Sequence, residues 1–429
     1  MSLHPLKINE KKNHGEIHMK NAIVGQSGGP TAAINATLAG VIAGAAKAHE
    51  NGRIGRLYGM INGAEGLLGG RITDLSNLFE DVKGRELLSH TPAAALGSCR
   101  MRLPADMADP AYDSIFAVFD RYEIGYVFYI GGNDSMDSTA KLTEAAKARG
   151  SELKVIGLPK TVDNDLCGTD HTPGYGSAAK YIATVTSEML CDCAVYTKKA
   201  VTVIEIMGRD AGWLTAAAGI PSLNGRGPDL IYLPEVPFSE EKFLADVRAA
   251  LEKRPDVVVA ASEGVRTADG NYVGASTQSG VSDAFGHRYL SGTGKTLENM
   301  IRTAIGCKVR SVELNLPQRC AGHLLSATDI SESLRIGEAA VGCALSGETG
   351  RMMTFVRRAG DEYACDIASE SVFSAANGIR TVPASFINKE GNGVTEECLR
   401  YLEPLIEGEV PVAYKNGIPL HFHLRKELE

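Results

Sequence analysis

The chain contains no run of 18 apolar residues, so no membrane-spanning helix is expected. It has no excess of basic residues: 44 Lys and Arg against 52 Asp and Glu leave a formal charge of −8. That argues against nucleic acid as a partner, because such binders are usually basic. Anionic small molecules stay open, since local clusters rather than net charge bind them. There is no CxxC pair. Nine cysteines lie scattered, and Cys191 and Cys193 form a CxC with no second pair at metal-ligand spacing. Reduced thiols in a cytoplasmic protein are the expected state. No internal repeat, low-complexity run or clear linker is present. The opening MSLHPLKINEKKNHGEIHMKN lacks the apolar core of a signal peptide and is expected to be a flexible leader.

What is present is an ordinary globular composition, 44% apolar and 22% charged. At 429 residues the chain exceeds one simple core, which predicts two domains. Short apolar runs alternate with helical patterns. NAIVGQ, YVFYI, KVIGLP, AVTVIEIM, PDVVVAAS and RSVELNL read as strands. TAAINATLAGVIAGAAKAHENG, SMDSTAKLTEAAKARG and GSAAKYIATVTSEML read as helices. This alternation predicts parallel sheets covered on both faces, with ligands bound beyond the C-terminal ends of the strands. Near the C-terminus, HFH (His421 to His423) alternates like an edge strand.

Three strand-end loops have chemistry in them. GQSGGPTAAIN (Gly25 to Asn35) offers bare backbone and a helix N-terminus to an anion. Its spacing is not GxGxxG, and a tight strand-to-helix turn would use the same glycines. GGNDS (Gly131 to Ser135) sets two glycines before Asn133 and Asp134; a helix cap alone explains Asp134 or Ser135, but not the glycine pair. GLPKTVDNDLCGTDHTPGYGS (Gly157 to Ser177) carries Lys160, Thr161, Asp163 and Asp165. Such a set suits phosphoryl transfer: one carboxylate accepts a hydroxyl proton, another holds Mg²⁺, and the lysine offsets phosphate charge. A charged loop with Asx turns is the plainer reading of that stretch. Arg209, between Gly208 and Asp210 at a strand end, is the best phosphate-binding arginine, with Arg310 and Arg319 at later strand ends. YLSGTGKT (Tyr289 to Thr296) imitates a phosphate-binding P-loop, but Tyr289 stands where that motif needs glycine. It is read as a polar helix cap.

Together, SGG, LGSCR (Leu96 to Arg100), GGNDS, PKTVDND, EIMGRDAG, LPEV and LPQR resemble, in order and spacing, the phosphofructokinase family over roughly residues 20 to 340. The resemblance implies two Rossmann-like, three-layer α/β/α domains with the active site between them, in a homodimer or homotetramer. The donor-binding domain is expected over 20–175 with roughly 320–375, and the fructose 6-phosphate-binding domain over 176–319 with roughly 376–429. By the same resemblance Asp163 is the catalytic base, with Thr161 and Arg209 beside the transferring group. Gly28, Gly29, Arg100, Asn133, Asp134 and Lys160 face the donor. Thr161, Asp163, Met207, Gly208, Arg209, Glu235, Arg310 and Arg319 face the sugar phosphate, Arg310 being lent by a neighbouring subunit. Mg²⁺ is expected on Asn133, Asp134 and Asp165, although the family has aspartate where Asn133 stands. Leu316 also departs from the family's histidine, and Ala200 from an intersubunit arginine, with Lys198 and Lys199 beside it. ATP-using members carry glycine at position 134 and before TVDND, whereas Asp134 and Lys160 resemble the pyrophosphate-dependent branch. The alternatives are an ATP-dependent member, a non-catalytic regulatory member, and a dinucleotide oxidoreductase.

Overall fold

The structure is a computed structural model that describes residues 19–195, 197–274, 292–360, 362–375 and 378–424. Nearly all of the leader and the Tyr289-Leu290-Ser291 start of the P-loop-like stretch lie outside these residues.

Among the described residues, eleven strands build two sheets. In chain order they are β1 (Asn21–Gln26), β2 (Leu57–Met60), β3 (Ile72–Asp74), β4 (Ile124–Gly131), β5 (Lys154–Pro159), β6 (Ala200–Ile206), β7 (Leu230–Tyr232), β8 (Asp256–Ser262), β9 (Lys308–Glu313), β10 (Arg351–Arg357) and β11 (Cys365–Ser371). The first sheet has the order β11-β10-β5-β4-β1-β2-β3, and the second β7-β8-β6-β9. The second is wholly parallel. The first departs from the expected parallel pattern at both edges, where β3 and β11 run antiparallel to β2 and β10. Ala22, Ile23 and Val24 of β1 and Val257 to Ala261 of β8 are buried without alternation, as strands covered on both faces must be.

Helix Ile34–Glu50 packs against helix Ala327–Leu345 so closely that no side chain fits between the backbones. A Cβ on Gly40 would lie 2.1 Å from Leu334 O, and one on Gly337 would lie 2.3 Å from Thr37 O. Small residues on both helices are the means of this approach. The contact fastens a late helix to the loop-bearing β1 end of the first sheet.

Three expectations are corrected. Helix Asn133–Ala148 begins two residues earlier than its polar start suggested, so Asn133 and Asp134 belong to its first turn. The strand read as RSVELNL ends at Glu313, and Leu316–Arg319 turns as a 3₁₀ helix instead. His421 to His423 form no strand: the C-terminal hairpin lies upstream, Tyr414–Lys415 pairing with Ile418–Pro419, and Phe422 N–H donates to Thr91 Oγ1 at 2.8 Å. The P-loop imitation resolves physically. Gly294 N–H, in the first turn of helix Thr293–Ala304, donates to Glu205 Oε2 at 2.6 Å. Burial pushes that carboxyl up to about 7, so a side chain already takes the place a phosphate would need.

Either Gly40→Ala or Gly337→Ala should therefore destabilise the protein by about 1–3 kcal/mol, the usual cost of overpacking. Thermal unfolding checks this, and an unchanged Tm in both variants would contradict the close crossing.

Candidate active site

The C-terminal ends of β1, β4 and β5 of the first sheet and of β6 and β8 of the second all deliver loops to one cluster. After β1 the backbone turns at Gly28, whose φ of +78° is the left-handed region that glycine tolerates. Gly28 N–H donates to Cys99 O at 3.0 Å, and Ser98 Oγ donates back to Gly28 O at 2.6 Å, which fixes LGSCR beside it. Lys160, from the end of β5, donates its Nζ to Gly29 O at 2.6 Å. A Cβ on Gly28 would come within 3.2 Å of that Nζ, and one on Gly29 within 3.3 Å of Arg319 Nη1. Lys160 is only 3% exposed. Burial lowers its pKa to about 8 against the pull of Asp163 and Asp165, and Arg100 and Arg319 add to the depression.

The TVDND loop is fixed from within. Thr161 Oγ1 accepts the Asp163 N–H at 3.1 Å, and Thr172 Oγ1 donates to Thr161 O at 2.7 Å. Asn164 between the carboxylates has φ +54° and no exposure. Burial pushes Asp163 upward while Lys160 and Arg209 oppose it. Burial also raises Asp165, and the Asp163 charge adds to the rise. The two carboxyls thus share a site in which ionising both is unfavourable. Asn133 Nδ2 donates to Asp165 Oδ2 at 3.2 Å, while Asn133 Oδ1 is buried without a partner. Asp134 is held by Arg102, with Nε at 3.0 Å and Nη2 at 2.9 Å from Oδ1.

From the second sheet, Met207 N–H donates to Gln318 Oε1 at 3.2 Å, which ties the end of β6 to the LPQR turn. Gly208 has φ +138°, and its N–H donates to Glu263 Oε1 at 3.4 Å. Arg209 interacts electrostatically with Asp163 and Glu263. Arg319 is lowered by burial and by Arg100. Glu235 Oε1 accepts the Gly212 and Val382 N–H groups at 2.8 and 2.9 Å, and its Oε2 is buried without a partner.

Gly28, Gly29, Arg100, Asn133, Lys160, Thr161, Asp163, Asp165, Met207, Gly208, Arg209 and Arg319 are therefore gathered in one chain. Asp134 stands at the rim with Arg102, and Glu235 is held by the Gly212 and Val382 amides. Arg310 is not gathered: it points from the edge strand β9, half exposed, 3.9 Å from Asp192. The sequence reading missed Glu263, whose carboxyl burial and the Asp163 charge push up to about 8. Its signal was an acid directly after the wholly buried strand VVVAAS and before Gly264, where a Cβ would strike Arg209 O at 2.0 Å.

Residues 21–344 match the Phosphofructokinase family. The chain is 41% identical over 406 residues to the pyrophosphate–fructose 6-phosphate 1-phosphotransferase of Halomonas elongata, covering 93% of this chain and 94% of that one. The enzyme of the same name from Xanthomonas campestris is 40% identical over 413 residues, covering 94% and 96%. The crystal structure of the pyrophosphate-dependent phosphofructokinase from Nitrosospira multiformis is similar with a TM-score of 0.84 at 37% identity, covering 94% of this chain and 95% of that one. With its motifs assembled at adjoining strand ends and its match running through most of its length, the chain belongs to the phosphofructokinase family.

Proposed function

We propose that the protein transfers a phosphoryl group reversibly from pyrophosphate to the 1-hydroxyl of fructose 6-phosphate, giving fructose 1,6-bisphosphate and phosphate. The observation that carries this reading is the buried Lys160 ammonium seated on the Gly28–Gly29 turn. A cation there meets a short inorganic donor where a glycine would leave room for something longer. The names and high coverage of the relatives support it.

In this reading Asp163 takes the proton of the 1-hydroxyl as that oxygen bonds to phosphorus and the bridging P–O bond breaks toward phosphate. Its raised pKa makes it a better base near neutrality. Thr161 holds the Asp163 backbone, and Arg209 with Lys160 balances charge on the transferring group. Gly28, Gly29 and Arg100 face the donor. Met207, Gly208, Arg209, Glu235 and Arg319 face fructose 6-phosphate, joined by Glu263, and Arg310 reaches the sugar phosphate of a neighbouring subunit in a homodimer or homotetramer. Asp165 and the unpartnered Asn133 Oδ1 fit an oxygen-seeking Mg²⁺, which would neutralise phosphate charge. Asp134, already balanced by Arg102, fits that role less well. Residues 20–175 with roughly 320–375 are read as the donor domain, since β10 and β11 extend the β1–β5 sheet, and 176–319 with roughly 376–429 as the sugar-phosphate domain. A cytoplasmic setting follows from a glycolytic or gluconeogenic substrate. Assembly of Asp163, Asp165 and Arg209 speaks against a non-catalytic member.

Replacing Asp163 by Asn removes the proton acceptor and keeps the shape. A fall in kcat of about 10² to 10⁴ is expected, with both KM values little changed. More than half the wild-type kcat would exclude Asp163 as the base.

The Lys160 ammonium is charged below a pKa of about 8 and neutral above it. Accordingly kcat/KM for pyrophosphate, which reports the free enzyme, should decline as pH rises through 8. In Lys160→Arg the site stays charged, so the alkaline limb should move up by at least one pH unit. A limb at the same pH in both proteins belongs to another group.

Donor choice is tested by kcat/KM for pyrophosphate and ATP in wild type, Asp134→Gly, Lys160→Gly and the double variant. Wild type should use pyrophosphate alone, Asp134→Gly should admit ATP weakly, and the double variant should prefer ATP. Equal use of both donors by wild type would overturn the pyrophosphate reading.

A further inference from the structure

The match to the family ends at residue 344, yet the chain comes back to the site after it. Ile379 pairs as an isolated antiparallel bridge with Leu166, directly behind Asp165. The next residue, Arg380, donates its backbone N–H to Asp165 O at 2.8 Å. Its guanidinium donates from Nη1 to Asn164 O at 3.2 Å and from Nη2 to the Tyr401 hydroxyl at 2.9 Å. The same guanidinium lies 4.1 Å over the ring of Trp213, which is fully buried and donates its Nε1–H to Arg380 O at 2.9 Å. Two residues on, Val382 N–H holds Glu235 Oε1. Four residues thus touch both the TVDND loop and the Glu235 side of the cleft.

Asn164 needs such support. It is a non-glycine residue in the left-handed region, fully buried, and neither polar atom of its side chain has a partner. A conformation of that kind costs energy and persists only where neighbours over-determine it. Asn164 cannot hold itself through an Asx turn. Its carbonyl and the next one are the atoms Arg380 binds. Only a planar fork can bond one carbonyl, reach Tyr401 with the other arm and still lie flat on an indole.

We infer that Arg380 is a positioning residue that fixes Asn164 and Asp165 against Trp213 and thereby sets the places of the Asp163 and Asp165 carboxylates. It does not touch the reacting atoms. It acts through the backbone on either side of them, and a misplacement of about 1 Å there costs on the order of 10²-fold in rate. The kinetic part of this inference rests on the phosphoryl-transfer reading; the structural part does not.

Trp213 is the only tryptophan in the chain, so its fluorescence reports the seat of Arg380 directly. In full-length Arg380→Met the emission should shift and become more accessible to acrylamide, and the residue 380 amide should exchange with solvent at least tenfold faster. With pyrophosphate, Mg²⁺ and fructose 6-phosphate, kcat should fall at least tenfold while both KM values stay within threefold. Arg380→Lys reaches only one of the two oxygens and should recover part of kcat. Should Arg380→Met fail to fold, Tyr401→Phe removes only the hydroxyl that steadies one arm, and a two- to fivefold loss of kcat with the same direction of emission change is expected. Wild-type kcat in folded Arg380→Met, or in Tyr401→Phe if the first variant does not fold, would overturn the inference. So would unaltered Trp213 emission with unaltered amide exchange. If wild type does not turn over these substrates, the functional reading fails by itself, and the fluorescence and exchange still decide whether Arg380 seats the loop.

Discussion

A lysine with almost no exposure, set against two aspartates and a glutamate that are partly withdrawn from water, is the constraint on which the rest of the site depends. Burial pushes five groups of the cluster toward their neutral forms: Lys160 and Arg319 downward, Asp163, Asp165 and Glu263 upward. Lys160, Arg100, Arg209 and Arg319 act electrostatically on the three carboxyl groups and on one another at close range. Such an arrangement is costly for folding and well suited to phosphate chemistry. An arriving anion adds a favourable partner for Lys160, whose charge burial disfavours.

Two sheets build that cluster, although the β5 end alone already sets Lys160 beside Asp163 and Asp165. The first sheet supplies the glycine turn, Lys160 and the aspartates; the second supplies Arg209 and Glu263. Glycine permits the approach where a Cβ would strike Lys160 or Arg319, and Gly264 does the same beneath Arg209. The close crossing of helices Ile34–Glu50 and Ala327–Leu345 keeps the β1 end in place from behind. Rigidity in the packing is what allows strain at Asn164 and unpaired polar atoms at Asn133 and Glu235 to persist in front.

The strands with local apolar runs were legible in the sequence, as were the glycine turn, Lys160, Asp163, Asp165 and Arg209, because each announces itself within about ten residues. The missed features are those whose meaning lies in distant partners. Glu263 is one acid after one strand, and only the fold brings it to Asp163. Arg380 lies more than 200 residues from the loop it binds, in a region whose local pattern is weak. The antiparallel edges β3 and β11 depend on which neighbour each strand finds. His421 to His423 alternate as a strand does but find no strand to pair with. Arg310 stands on the edge strand β9 near Asp192 and outside the cluster of its own chain.

Asp134 shows how a partner changes the meaning of a charge. Taken alone, its carboxylate would repel the α-phosphate of a nucleotide. In the fold, both Nε and Nη2 of Arg102 meet one of its oxygens, so much of that repulsion is offset before any donor arrives. A half-exposed ion pair of this kind adds only about 0–1 kcal/mol to stability. Its larger effect is geometric: two side chains lie where a glycine at 134 would leave open space. In the proposed pyrophosphate reading, discrimination against a long donor would rest first on volume, and on charge to the extent that the donor draws Arg102 away from Asp134. In the same reading the favourable half of the discrimination would fall to Lys160, whose burial makes its charge worth more to a compact anion than an exposed cation would be.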